Sequence, residues 1–186
     1  MAAYKDLETA LIHGGIYGDE LTGAVNVPIY QTSTYEQQGL GKYKGYEYSR
    51  TGNPTRAALE ALIAELEGGK AGFAFGSGMA AITAVLSLFE TGDKVIISKN
   101  VYGGTFRVLD KVFNHSIEDT TDLKSLDEKV TPDVKAIMIE SPANPLLTVT
   151  DIAGVAEIAE KHGILSIVDN TFMTPYLQRP IELGVN

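Results

Sequence analysis

No cysteine occurs among the 186 residues, so disulfides, thiolate metal sites and a cysteine nucleophile are all excluded. Positive charge is scarce: 15 Lys and Arg against 24 Asp and Glu give a formal charge of −9, which argues against a nucleic-acid partner. The three histidines, His13, His115 and His162, lack metal-ligand spacing. Nowhere does the chain approach the roughly 18 consecutive apolar residues of a membrane helix, and the start of the chain mixes Lys5, Asp6 and Glu8. Internal repeats and low-complexity segments are missing too. These absences predict a globular protein of the cytoplasm that meets neither membrane nor nucleic acid. Any small anionic ligand must be held by local donors.

What the chain does have is apolar residue at 44%, enough for one α/β core. Residues 1–56 show little periodicity and are rich in Gly, Tyr, Thr and Gln; from Thr55 onward helical and strand patterns alternate. Arg56 to Glu67 places Leu59, Leu62, Ile63 and Leu66 at helical spacing and stops at Gly68-Gly69. The pattern then predicts strand Gly72 to Phe75, helix Met79 to Phe89, strand Val95 to Ser98 and helix Thr105 to Phe113. A short strand and a helix fall within Ile117 to Lys129, followed by strand Val134 to Ile139, helix Asp151 to His162 and strand Ile164 to Val168. Near-continuous apolar strands are those covered on both faces, so a mostly parallel sheet flanked by helices is expected.

The run Ala71 to Ala81 is the most informative stretch. A short apolar segment ending in Gly76-Ser77-Gly78 and opening into a helix makes an anion cradle, with free N–H groups and the positive end of the helix dipole aimed at one spot. Gly76-x-Gly78-x-x-Ala81 also fits a dinucleotide fingerprint, which requires an acidic residue about 20 positions on. The next strand ends instead in Ser98 and Lys99, so a phosphate without an adenosine ribose fits better; an NADP-binding oxidoreductase domain is the remote alternative.

Ligands of open parallel sheets sit beyond the carboxyl ends of the strands. Four polar sets fall there: Gly76 to Met79, Tyr102 to Gly104, Ser141 to Pro145, and Asp169 to Thr171. A phosphate cradle, an aromatic face, an amide and a carboxylate at one edge suit a flat, phosphorylated, nitrogen-containing aromatic cofactor. Asp169 after an apolar strand needs a cation or strong donor, which a protonated pyridine nitrogen would supply; equally, it suits the cap of the next turn. Tyr102 suits ring stacking or a place at the rim of the core, Asn144 a ring oxygen or a turn between prolines, and Ser77 a helix cap.

Taken together, Tyr46 to Arg56, Gly76 to Ala81, Val101 to Thr105, Glu140 to Pro145 and Val168 to Phe172 resemble motifs of the Cys/Met-metabolism family of pyridoxal 5′-phosphate (PLP) enzymes, in family order. The resemblance runs from about Thr9 to the last residue. It implies the large domain of the aspartate-aminotransferase-like fold type I over residues 57–186, with residues 1–56 as an N-terminal arm contributing to the neighbouring subunit's site. Gly78 and Met79 would offer N–H groups to the cofactor phosphate, reached from the other subunit by Tyr48 and Arg50. Tyr102 would stack on the ring and exchange protons with substrate, Asn144 would contact the ring oxygen, Asp169 would pair with the ring nitrogen, and Thr171 would support the ring. Arg107 would help bind substrate. Family members continue beyond the position of Gly184 to a Ser-x-Thr-Lys whose lysine forms the Schiff base, so this chain alone is expected to be inactive. The activity implied for the complete protein is cleavage of cystathionine, a sulfur amino acid, at its γ carbon, with some β cleavage. It would work in a homo-oligomer, with dimers that share active sites assembled as a tetramer. Cystathionine γ-synthase and O-acetylhomoserine sulfhydrylase activities remain alternatives within the resemblance.

Overall fold

The computed structural model describes residues 6–186, which fall into two compact units meeting in sequence between Ala74 and Phe75. The first unit holds two helices, α1 (Leu7–His13) and α2 (Pro54–Glu67). Helix α2 starts where the sequence puts its strongest signals: Asn53 accepts a bond from the Thr55 N–H at 2.9 Å and Pro54 needs no N–H partner. It ends at Gly68, whose φ of 70° is costly for any residue with a side chain. Between the helices the chain makes loops, held by side chains more than by ladders. The Arg56 guanidinium donates to the carbonyls of Ser49, Arg50 and Thr51, while its Nε pairs with Glu60 at 3.1 Å.

The strand expected over Gly72 to Phe75 is not formed. Its backbone is committed to α2 instead. The Ala74 N–H donates to Glu60 Oε1 at 3.0 Å, and Gly72 lies so close to α2 that a Cβ there would stand 2.3 Å from the Glu60 carbonyl oxygen. No strand among the described residues pairs with it.

The second unit is the predicted α/β layer. Four parallel strands, β1 (Lys94–Ser98), β2 (Asn114–Glu118), β3 (Val134–Glu140) and β4 (Leu165–Asp169), lie in the order β2-β1-β3-β4. Helices α4 (Gly103–Val112), α5 (Leu123–Glu128) and α6 (Ile152–His162) make the crossovers, and α3 (Gly78–Leu86) precedes β1. Alternation along β1 and β3 builds two separate cores, because successive side chains point to opposite faces. Ile96, Ile137 and Ile139 join Leu126 and the α6 residues Ile152, Val155 and Ala156 on one face. Val95, Ile97, Ala136 and Met138 join Leu86 and Leu109 on the other. A bulge adds Lys135 opposite the Lys94/Val95 step, which turns Val134 into the first core although its parity belongs to the second.

Helix α6 is fixed at both ends, by the Asp151 cap on the Gly154 N–H at 3.1 Å and by Gly163 at φ 65°. Its last turn meets α5 through Asp127, which bonds Lys161 at 2.6 Å and His162 at 2.7 Å. Lys161 first, and then His162, hold the Asp127 carboxyl below its ordinary range. A short helix α7 (Thr174–Leu177) and a 3₁₀ turn complete the unit. No helix among the described residues is long and apolar enough to cross a membrane.

Candidate functional site

The carboxyl ends of the parallel strands carry Ser98, Glu118, Glu140 and Asp169, and the last two are register partners across β3 and β4. Beyond that edge lies a cavity of about 340 Å³. Gly78, Met79, Tyr102, Asn144, Asp169 and Thr171 all line it, bringing together six residues singled out from sequence. Of the other three, Tyr48 and Arg50 belong to the first unit, and Arg107 is an exposed residue of α4 that does not line this cavity.

Each wall has a local cause. Ser77 caps α3, accepting the Ala80 N–H at 3.1 Å, so the helix begins with its first amides directed at the cavity mouth. At Gly76 and Gly78 a Cβ would meet nothing within 4 Å, which leaves open space at the backbone where an anion would dock. Tyr102 stands at the start of α4. Gly104 allows its ring to fold there: a Cβ on Gly104 would be 2.5 Å from Tyr102 Cε1 and 2.8 Å from Met79 Sδ. The glycine thereby packs the aromatic face and the methionine of the cradle together.

Asp169 serves two readings at once. Its Oδ1 accepts both the N–H of Thr171, at 3.1 Å, and the Thr171 hydroxyl, at 2.5 Å, which is the turn cap. Both bonds use one oxygen. The other, Oδ2, remains for a donor in the cavity. Asn144 enters between two cis peptide bonds, Ser141–Pro142 and Asn144–Pro145.

Sequence reasoning passed over three lining residues, Glu140, Ile82 and Phe172. The signal for Glu140 was present: like Asp169, it is a carboxylate closing an apolar strand, and it is only 6% exposed. Its Oε2 accepts the Tyr102 N–H at 2.6 Å and its Oε1 the Asn144 N–H at 2.9 Å. Burial pushes the Glu140 carboxyl above its ordinary value; the two amide bonds pull the other way, and the Asp169 carboxylate adds to the upward push.

The donors and acceptors fit PLP: free amides and a helix N-terminus for phosphate, an aromatic face and an uncommitted carboxylate oxygen for a protonated ring nitrogen. None of the lysines among the described residues lines the cavity.

A family model described as "Cys/Met metabolism PLP-dependent enzyme" matches residues 8–186. Cystathionine gamma-lyase of Bacillus subtilis is 57% identical over 184 residues, covering 96% of this chain and 48% of the relative. Cystathionine beta-lyase of Lactococcus lactis subsp. cremoris is 58% identical over 185 residues, with 97% and 49% covered. Among solved structures, cystathionine gamma-lyase from Lactobacillus plantarum complexed with L-serine superposes with a TM-score of 0.94 at 55% identity, covering 97% of this chain and 49% of that one. The chain spans about half the length of the relatives it matches.

Proposed function

The chain belongs to the Cys/Met-metabolism family of PLP-dependent enzymes, and from that premise we propose that it forms the cofactor-holding part of a transsulfuration lyase acting on cystathionine. Cleavage falls between sulfur and the γ carbon, with β cleavage as a second activity. The observation that carries this reading is the convergence of Gly78, Tyr102, Asn144 and Asp169 on one cavity at the carboxyl edge of the sheet.

In this reading the Gly78 and Met79 amides, with the α3 dipole behind them, bind the phosphate. The Tyr102 ring would stack on the pyridine, and its hydroxyl would carry a proton to or from substrate. The Asn144 side chain donates to the ring's phenolic oxygen. Asp169 Oδ2 would hold the proton on the ring nitrogen, while Thr171, tied to Oδ1, keeps that carboxylate oriented and would flank the ring. Bound there, PLP supplies an electron sink for charge developing beside the amino group of a sulfur amino acid. Arg107 assists in holding substrate.

Binding and turnover are tested separately. Titration with PLP should give a saturable absorbance change, and borohydride treatment of the isolated chain should label no single lysine specifically. The natively expressed protein, given PLP and cystathionine, should release cysteine and 2-oxobutyrate; homocysteine and pyruvate mark β cleavage. Formation of a thioether and free carboxylate from an acylated homoserine and a thiol, with no 2-oxobutyrate released from cystathionine, rejects the lyase reading.

The proposed assembly is a homo-oligomer whose sites are shared, with Tyr48 and Arg50 reaching the phosphate of a neighbour and residues 1–56 serving as the arm. The two side chains form a ready anion receptor, since the Arg50 guanidinium lies 5.2 Å from the Tyr48 ring centroid and both are exposed. Mixing Arg50→Ala and Asp169→Ala chains should regenerate PLP-binding sites that neither variant has alone. Mixtures no better than their components would rule out sharing.

A further inference from the structure

Two loops carry the residues that would touch the faces and rim of the ring, and neither loop is anchored by a regular ladder. Tyr102 precedes α4 with no side-chain cap bond of its own, and Asn144 sits in the loop from Ser141 to Thr150. One buried carboxylate joins them. Glu140, at the rigid end of β3, accepts the Tyr102 amide on one oxygen and the Asn144 amide on the other.

Resting on the PLP-binding reading, we propose that Glu140 is a positioning residue, a two-oxygen clamp that sets the Tyr102 ring and the Asn144 side chain at the spacing the cofactor ring requires. The chemistry is specific to a carboxylate. Both partners are N–H donors, so both ends of the clamp must accept; a glutamine offers one acceptor and turns an NH₂ group toward the second N–H. Leaving a buried donor facing another donor is costlier than losing a bond to water, so one loop must move away. The anion cradle at Gly78 and Met79 belongs to a different element, α3, and its amides make no bond to Glu140. Glu140 should therefore govern ring binding and leave phosphate binding alone.

The test is Glu140→Gln, read with two probes, PLP and inorganic phosphate, beside amide NMR signals of the protein without cofactor. In the unsubstituted protein the Tyr102 and Asn144 amide protons should lie downfield, as bonds to a carboxylate require. In Glu140→Gln at least one should move upfield, and PLP affinity should fall about tenfold or more while phosphate affinity stays within about twofold. A parallel loss of both ligands, or unchanged PLP affinity, would overturn the clamp. Should the variant fail to fold, the unsubstituted protein still decides: downfield amides support the clamp, and amide shifts in the random-coil range refute it. Absence of PLP binding by the unsubstituted protein would instead count against the function, with the amide signals judging Glu140 independently.

Discussion

Asp169→Asn is expected to weaken PLP binding about 10- to 100-fold, the range set by losing a hydrogen bond to a charged partner at about 1.5–3 kcal/mol. The substitution is a narrow one. An asparagine keeps an oxygen for the Thr171 N–H and hydroxyl, which in the native chain share Oδ1 at 3.1 and 2.5 Å, so the turn survives. Only the charge proposed to face the ring nitrogen disappears. A second effect should have the opposite sign. Asp169 and Glu140 are register partners, and the Asp169 charge helps raise the Glu140 carboxyl above its ordinary value, which means the two carboxylates repel. Asp169→Asn should therefore leave stability in the absence of PLP unchanged or raised, while lowering stability in its presence. Denaturant midpoints with and without PLP measure both. A variant equally destabilised in the two conditions, with unaltered PLP affinity, would make Asp169 a turn cap and nothing more.

That opposition between site and fold explains which parts of the molecule could be read from the chain. Asp169 stood out because five mostly apolar residues precede it, a setting that suits either a turn cap or a partner for a cation. Glu140 has the same setting after Val134 to Ile139, yet its partners are backbone amides of residues 38 positions before and four after it. Long-range pairing of that kind leaves no periodic trace. The same applies to Gly104, whose need for a bare Cα comes from the rotamer of Tyr102 and the position of Met79.

Strands β1, β3 and β4 and helices α2 and α6 were legible because apolar runs, caps and terminal glycines agreed with one another. The segment Gly72 to Phe75 reads equally well as a strand, but pattern cannot supply a ladder partner, and the Glu60 side chain captures its backbone. The Lys135 bulge was invisible for a related reason: one extra residue in a run of apolar ones changes no composition, only the face to which Val134 points. Tyr48 and Arg50 were singled out only through a family resemblance. Their loop has no regular pattern, and what orders it is the Arg56 guanidinium bridging three successive carbonyls.

Ile137→Ala should cost about 2–5 kcal/mol of folding stability, because a fully buried side chain at the middle of β3 would leave a cavity against α6. Its value as a probe lies in which face it occupies. Ile137 points to the core of Ile152, Val155 and Ala156, whereas Met138 and Glu140 face the other way, toward α3, α4 and the site. Met138 also lines a neighbouring cavity together with Gly78, Asp169 and Thr171. If the sheet behaves as a rigid septum between two independent cores, ligand binding on one face should not sense a hole on the other. A ligand at a hundredfold excess over its dissociation constant adds about 2.7 kcal/mol to stability. That increment should be the same for Ile137→Ala as for the unsubstituted protein, the two denaturation curves being displaced in parallel. Met138→Ala should lose both stability and part of the PLP increment, since its cavity opens beside Asp169. An increment that shrinks equally in both variants would show that deformation passes through β3, and the site would then depend on the whole sheet and not on its carboxyl edge alone.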